Sequence, residues 1–243
     1  PPFRACLGVG FADMRTAARA IRAVFAAGFL PSALEVADAF TLRAAERRTG
    51  SRLLSRCDAH VIVELDGHAA SVRREVADLA RVMRRERAVF VQRGLGDAGC
   101  ERFWGLRRQF SYSLRDTGLT KLNEDIVVPR SQLEALFRLT RALQRRHRLP
   151  LACFGHAGDG NIHVNVMRDE RDPEQRARSE ACLDDLFRGV LALGGVITGE
   201  HGVGLAKQRW WPEAVSPEAH GLHQAVKRAL DPAGILNPGK FLG

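Results

Sequence analysis

Two short segments of this sequence concentrate the side chains that carry acid–base and metal chemistry. The first runs Phe154-Gly155-His156-Ala157-Gly158-Asp159-Gly160-Asn161-Ile162-His163-Val164-Asn165-Val166. Two histidines bracket a Gly-Asp-Gly-Asn turn, and an alternating strand pattern follows. Alternation puts His163 and Asn165 on one face, and the turn lets His156 fold back toward them. The second segment runs Gly194-Gly195-Val196-Ile197-Thr198-Gly199-Glu200-His201-Gly202-Val203-Gly204. Its glycines surround one Glu–His pair. Glycine is costly in regular structure and useful where backbone must approach a ligand or take positive φ. A lone strand histidine is ordinarily a satisfied core residue, and glycines alone make a loop. Together, however, His156, His163 and Glu200 offer two imidazoles and a carboxylate. That set suits Zn or another divalent ion and leaves a position for substrate. His201 then stays free as an acid–base group.

The hydrophobic pattern supplies elements to hold these segments. Residues 3–11 are strand-like, and Asp13 caps a helix whose Ala17, Ala20, Ile21, Val24 and Phe25 recur at helical spacing up to Gly28. A second helix is expected after Pro31-Ser32, carrying Leu34, Val36, Ala37 and Phe40. Residues 59–65 read as a buried strand ended by Asp66-Gly67. A helix over 71–87, a short strand over 89–91 and an amphipathic helix over 101–115 follow. Residues 124–128 form a strand stopped by Pro129, and Ser131 caps a helix through Arg146. Strands over 151–154 and 162–167 flank the glycine turn, with helices over 175–193 and 221–230 beyond. Neither a strand–GxGxxG–helix unit nor a sequence repeat occurs. The expected fold is one α+β domain: an antiparallel, ferredoxin-like sheet, helices packed largely on one face, and a C-terminal helical segment.

Composition narrows the classes further. The 243 residues, 45% hydrophobic and 27% charged, suit an ordinary core and exclude collagen-like, disordered and disulfide-dense chains. No apolar run approaches the ~20 residues of a membrane helix. A net charge of +9 admits nucleic acid or an anionic membrane surface. Yet only four of the 37 basic residues are lysines, which points to an arginine-biased composition. The clusters Arg84-Arg85-Glu86-Arg87 and Arg145-Arg146-His147-Arg148 close helical patterns, where cations complement the helix dipole. Five scattered cysteines without CxxC spacing read as reduced, buried thiols. The opening Pro1-Pro2-Phe3-Arg4, with no Met and no signal-peptide layout, reads as part of something longer. A basic nucleic-acid-binding module and a His/His/Glu metal hydrolase stand as alternatives to a redox enzyme.

Near the end, Asp231-Pro232-Ala233-Gly234-Ile235-Leu236-Asn237-Pro238-Gly239-Lys240 adds a third motif. In order and spacing the three motifs resemble the C-terminal domain of the FAD-linked oxidases, vanillyl-alcohol-oxidase-type flavoenzymes that act on 2-hydroxy acids. The resemblance extends from the Ala-Leu-Glu around residue 34 to Lys240. It implies that residues 1–243 are the substrate-side domain and that an N-terminal domain outside them holds most of the FAD. It implies a divalent metal, Zn or Mn, on His156, His163 and Glu200, with His201 as the base that also touches substrate. Asn165 would lie near the substrate and Asn237 near the flavin. Arg107 and Lys121 would hold the substrate carboxylate, with Arg108 able to replace Arg107 by a one-residue shift. Ser111, one helical turn beyond Arg107, would add a hydroxyl. The implied partners are a small 2-hydroxy acid, the FAD domain and an electron acceptor of unspecified kind, without nucleic acid. A cytoplasmic location is expected, with a homodimer and peripheral contact to the inner membrane face left open.

Overall fold

Alternation in Phe3–Phe11 (β1) buries Ala5, Leu7, Val9 and Phe11 on one side. Asp13 then starts α1 (Met14–Ala26) by accepting the Thr16 amide at 2.7 Å. The computed structural model, which describes residues 1–242, continues through β2 (Ala33–Asp38), α2 (Ala39–Thr49), β3 (Ala59–Gly67), α3 (Ala69–Arg85), β4 (Phe90–Leu95) and α4 (Gly96–Arg115). β5 (Thr120–Val127), α5 (Leu133–His147), β6 (Leu151–His156), β7 (Asn161–Arg168) and α6 (Pro173–Ala192) follow. A glycine-containing loop leads to α7 (Trp211–Ala214) and α8 (Pro217–Leu230).

All seven strands pair antiparallel in one sheet, in the order β4-β1-β3-β2-β6-β7-β5. The first four strands, in the order β4-β1-β3-β2 with α1 and α3 as crossovers, make a ferredoxin-like half. β5, β6 and β7 repeat that plan, and a single bridge from Val196 to Val127 stands where a fourth strand would lie. The two halves meet where β2 pairs with β6. The repeat is one of topology alone; no shared sequence pattern announces it.

The larger core, between the sheet and α1, α3, α5 and α6, fills one face. α2 and α4 cover the other face, over smaller clusters centred on Phe110 and Phe103. The expected α+β sheet, with most helices on one side, is therefore what forms. One expected element differs: residues 33–38 are a strand, not the start of a helix. Leu34 and Val36 alternate into the core between two partner strands. The helix begins only at Ala39, because Asp38 accepts the Thr41 amide and caps it. Other boundaries move by a few residues, and Ser131 does not cap α5: it lies in a 3-10 turn over Arg130–Gln132, and the helix starts at Leu133 without a side-chain cap. β5 begins at Thr120, which puts Lys121 on a strand, and α4 begins at Gly96. Ser216 caps α8, so that helix starts at Pro217. No helix among the described residues is long and apolar enough to cross a membrane.

Candidate metal and substrate site

The β6–β7 hairpin returns His156 toward His163. Its turn requires glycine at 160, where φ is +86° and a Cβ would sit 2.0 Å from the Val128 carbonyl. The two imidazoles meet edge to face with centroids 5.7 Å apart. From the other side the 194–204 loop brings Glu200, whose Oε1 lies 3.5 Å from His163 Nε2. His201 stacks on His163 at 5.4 Å and 19°, its Nε2 3.7 Å from Glu200 Oε1. One ligand atom each from His156, His163 and Glu200 fall within 4.8 Å of one another. The buried Nδ1 of His163 has no hydrogen-bond partner. Two nitrogens and one carboxylate oxygen, converging at a partly exposed rim, fit a divalent ion such as Zn or Mn.

A buried carboxylate that no sequence motif announced holds the loop in place. Asp125, opposite His163 in the β5–β7 register, accepts the amides of Gly199, Glu200 and His201 on Oδ2 at 2.9, 2.7 and 2.8 Å. The Thr198 hydroxyl reaches the same oxygen, and Asn161 donates to Oδ1 at 2.6 Å. Burial pushes the Asp125 carboxyl up, but Asn161 and the three amides together hold it far below the usual range. Gly199 is needed for this closeness, since a Cβ there would lie 1.7 Å from Asn161 Nδ2. Buried Lys207 ties the loop to β5 by donating to the carbonyls of Asp125 and Ile197. An Asp inside an apolar strand, and a Lys in a chain with few, were the available signals.

Glu35 is the second unannounced residue. It faces His156 across the β2–β6 register, and its Oε1 lies 2.5 Å from His156 Nδ1. Arg107 donates from Nε to the other oxygen at 2.5 Å and stacks over Phe154 at 4.9 Å. Burial raises the Glu35 carboxyl, yet His156 and Arg107 outweigh it and leave its pKa lowered. The same contact raises the pKa of His156. His163 is shifted down by burial. With Nδ1 on a carboxylate, His156 presents Nε2 outward, the arrangement that orients metal-binding histidines.

The other expected residues fall in four places. Arg108 pairs with Glu101 on the exposed side of α4, so Arg107 is the arginine on the site side. Lys121 donates to Ser111 Oγ at 2.7 Å, and burial lowers its pKa. Asn165 is fully buried, with its amide on the Ala152 carbonyl and its Oδ1 unpaired. Asn237, exposed and with φ of 50°, lines an apolar cleft of about 670 Å³ beneath α8, apart from the histidine cluster. The arginine clusters fall in the last turns of α3 and α5, as expected of helix ends.

A family model described as "FAD linked oxidases, C-terminal domain" matches residues 1–241. The glycolate oxidase subunit GlcD of Bacillus subtilis is 30% identical over 231 residues, covering 95% of this chain and 49% of its own length. The mitochondrial D-lactate dehydrogenase (cytochrome) of Arabidopsis thaliana is 26% identical over 234 residues, covering 96% of this chain and 41% of its own. The chain thus spans about half the length of the curated relatives it matches. Among solved structures, p-cresol methylhydroxylase with substrate bound shares the fold, with a TM-score of 0.74 at 15% identity. That alignment covers 100% of this chain and 53% of the other.

Proposed function

The chain belongs to the family of FAD-linked oxidase C-terminal domains, and from that premise we propose that residues 1–243 form the substrate-side half of an FAD-dependent 2-hydroxy acid dehydrogenase. The observation that carries this reading is the convergence of His156, His163, Glu200 and His201, with Arg107 tied to His156 through Glu35. When bound, FAD would supply hydride acceptance, and a divalent ion held by His156, His163 and Glu200 would supply Lewis acidity toward the α-hydroxyl.

This chain's own residues do the positioning and the proton transfer. Lys121 supplies a point charge for the substrate carboxylate, and Ser111 a hydroxyl beside it. Arg107 spends only Nε on Glu35, which leaves its terminal nitrogens to fork onto the same carboxylate. His201, with its side chain 43% exposed, takes the α-hydroxyl proton as hydride leaves Cα. Buried Asn165 backs the strand that carries His163, two residues along on the same face.

FAD would be held mainly by the part of the relatives that this chain does not match, since the chain offers no glycine-rich dinucleotide turn. α8 presents Leu222, Val226 and Leu230 to solvent at helical spacing, with Leu236 beside them. That apolar face suits docking of the flavin-bearing domain, with Asn237 at its rim. The discriminating experiment is His201→Ala in the full-length parent enzyme. The expected result is loss of turnover on 2-hydroxy acids with the flavin spectrum retained; near-normal turnover would remove the assigned role.

A further inference from the structure

On the far side of the sheet from the larger core, a second cluster of ligand-type side chains stands at the other end of the α4 face. Cys6 on β1 and Glu64 on β3 are register partners, and Cys6 Sγ lies 3.2 Å from Glu64 Oε2. Cys100, from the first turns of α4, completes the group, with the three ligand atoms all within 4.8 Å of one another. Both thiols are fully buried, while the Glu64 side chain keeps 12% exposure toward the rim. Ninety-odd residues separate the two cysteines, roughly the span of the whole first half, so only the fold makes them neighbours.

We propose that Cys6, Glu64 and Cys100 form a second metal site, for a zinc-like divalent ion, that staples the start of α4 to the sheet. Two thiolates and a carboxylate are a borderline-to-soft donor set of the kind zinc takes. Zn–S bonds of about 2.3 Å place tetrahedral sulfurs about 3.8 Å apart, so the present spacing needs to close by about 1 Å at most. Charge favours occupancy. Two thiolates and one carboxylate around a dication leave a single negative charge, and the Arg4 guanidinium, 3.2 Å from Glu64 Oε2 and also paired with Asp97 at 2.7 Å, offsets part of it. Arg4, Trp104 and Cys6 all converge on that Oε2, which leaves Oε1 without a hydrogen bond. Burial keeps both thiols protonated in the absence of an ion. Binding therefore releases two protons, one from each sulfur, and forms two metal–sulfur bonds without any redox step.

The consequence reaches the candidate active site through α4. The helix carries Cys100 and Trp104 at one end and Arg107 and Ser111 farther along. An ion on Cys100 fixes the register of the helix that presents Arg107 to Glu35.

Cadmium titration of the reduced 243-residue chain tests the proposal, because cadmium–thiolate charge transfer is an ultraviolet signature that histidines and carboxylates do not produce. The expected result is one charge-transfer site per chain. It should persist in Glu200→Gln and disappear in both Cys6→Ser and Cys100→Ser. Glu64→Gln, which keeps both sulfurs, should weaken the site by more than the roughly 100-fold that an outer-shell loss costs. Absence of the band, or its survival in either serine variant, overturns the proposal. So does a Cys6–Cys100 disulfide that resists reduction, since oxidised sulfurs offer no thiolate.

Discussion

Glu35 Oε1 and His156 Nδ1 lie 2.5 Å apart, across the seam where β2 of one ferredoxin-like half pairs with β6 of the other. The contact joins the fold to the chemistry. The register that zips the halves together also orients the imidazole of the candidate metal-ligand set.

Removing that carboxylate should be felt first at the metal. Glu35→Gln keeps the volume but cannot hold both Arg107 and His156 by charge. Losses of this kind cost 10–100-fold in metal affinity. Isothermal titration with Zn²⁺ should register a fall in that range at the histidine site, and the melting temperature should fall too, because Arg107 loses its buried partner. Unchanged affinity would mean that His156 is oriented by something else.

Asp125→Ala should act on the loop that carries Glu200 and His201. It leaves three amides and a hydroxyl without their acceptor. Hydrogen bonds to a charged group contribute about 1.5–3 kcal/mol each, and amides that regain water recover part of it. A net loss of about 3 kcal/mol is expected in denaturant unfolding. Hydrogen exchange should accelerate first at residues 199–201.

Gly199→Ala asks whether the close approach is real. With a Cβ 1.7 Å from Asn161 Nδ2, either Asn161 or the loop must move. Asn161 also anchors Asp125, so the cost spreads through the network. A stability loss of about 1–3 kcal/mol, typical of overpacking, should be accompanied by weaker metal binding. Gly194→Ala is the contrast: nothing lies within 4 Å of its Cβ, and its strain is only that of positive φ.

His60 gives a pH signature separate from the site. It is buried with neither ring nitrogen hydrogen-bonded, and burial lowers its pKa to about 4. The unfolded chain takes a proton on this residue near pH 6.5, whereas the folded chain resists until about 4. Between those values the unfolded state binds more protons, so stability falls as pH falls. The drop should be on the order of 3 kcal/mol, complete near pH 4. His60→Leu should flatten that segment of the pH–stability profile.

Much of this was legible in the chain. The His-turn-His strand pair and the Gly-Glu-His-Gly loop singled out the three side chains that the fold brings within 4.8 Å of one another. Strand and helix periods placed most elements within a few residues. Residues 33–38 escaped because Ala, Leu and Glu favour helix locally, while pairing with β3 and β6 decides the outcome. Glu35 and Asp125 escaped for a related reason. Each is a lone acid within a strand, and its meaning lies in the cross-strand partner, which no local pattern supplies. The topological repeat was invisible because it is conserved in strand order and not in side chains.

The central claim is that His156, His163 and Glu200 hold a divalent ion beside His201. Its most direct test is anomalous diffraction from crystals of the full-length enzyme, with data collected on both sides of the zinc and manganese absorption edges. The account predicts one anomalous peak within coordination distance of all three side chains, lost in His163→Ala. No peak at these three side chains after metal has been supplied at saturating concentration would contradict it.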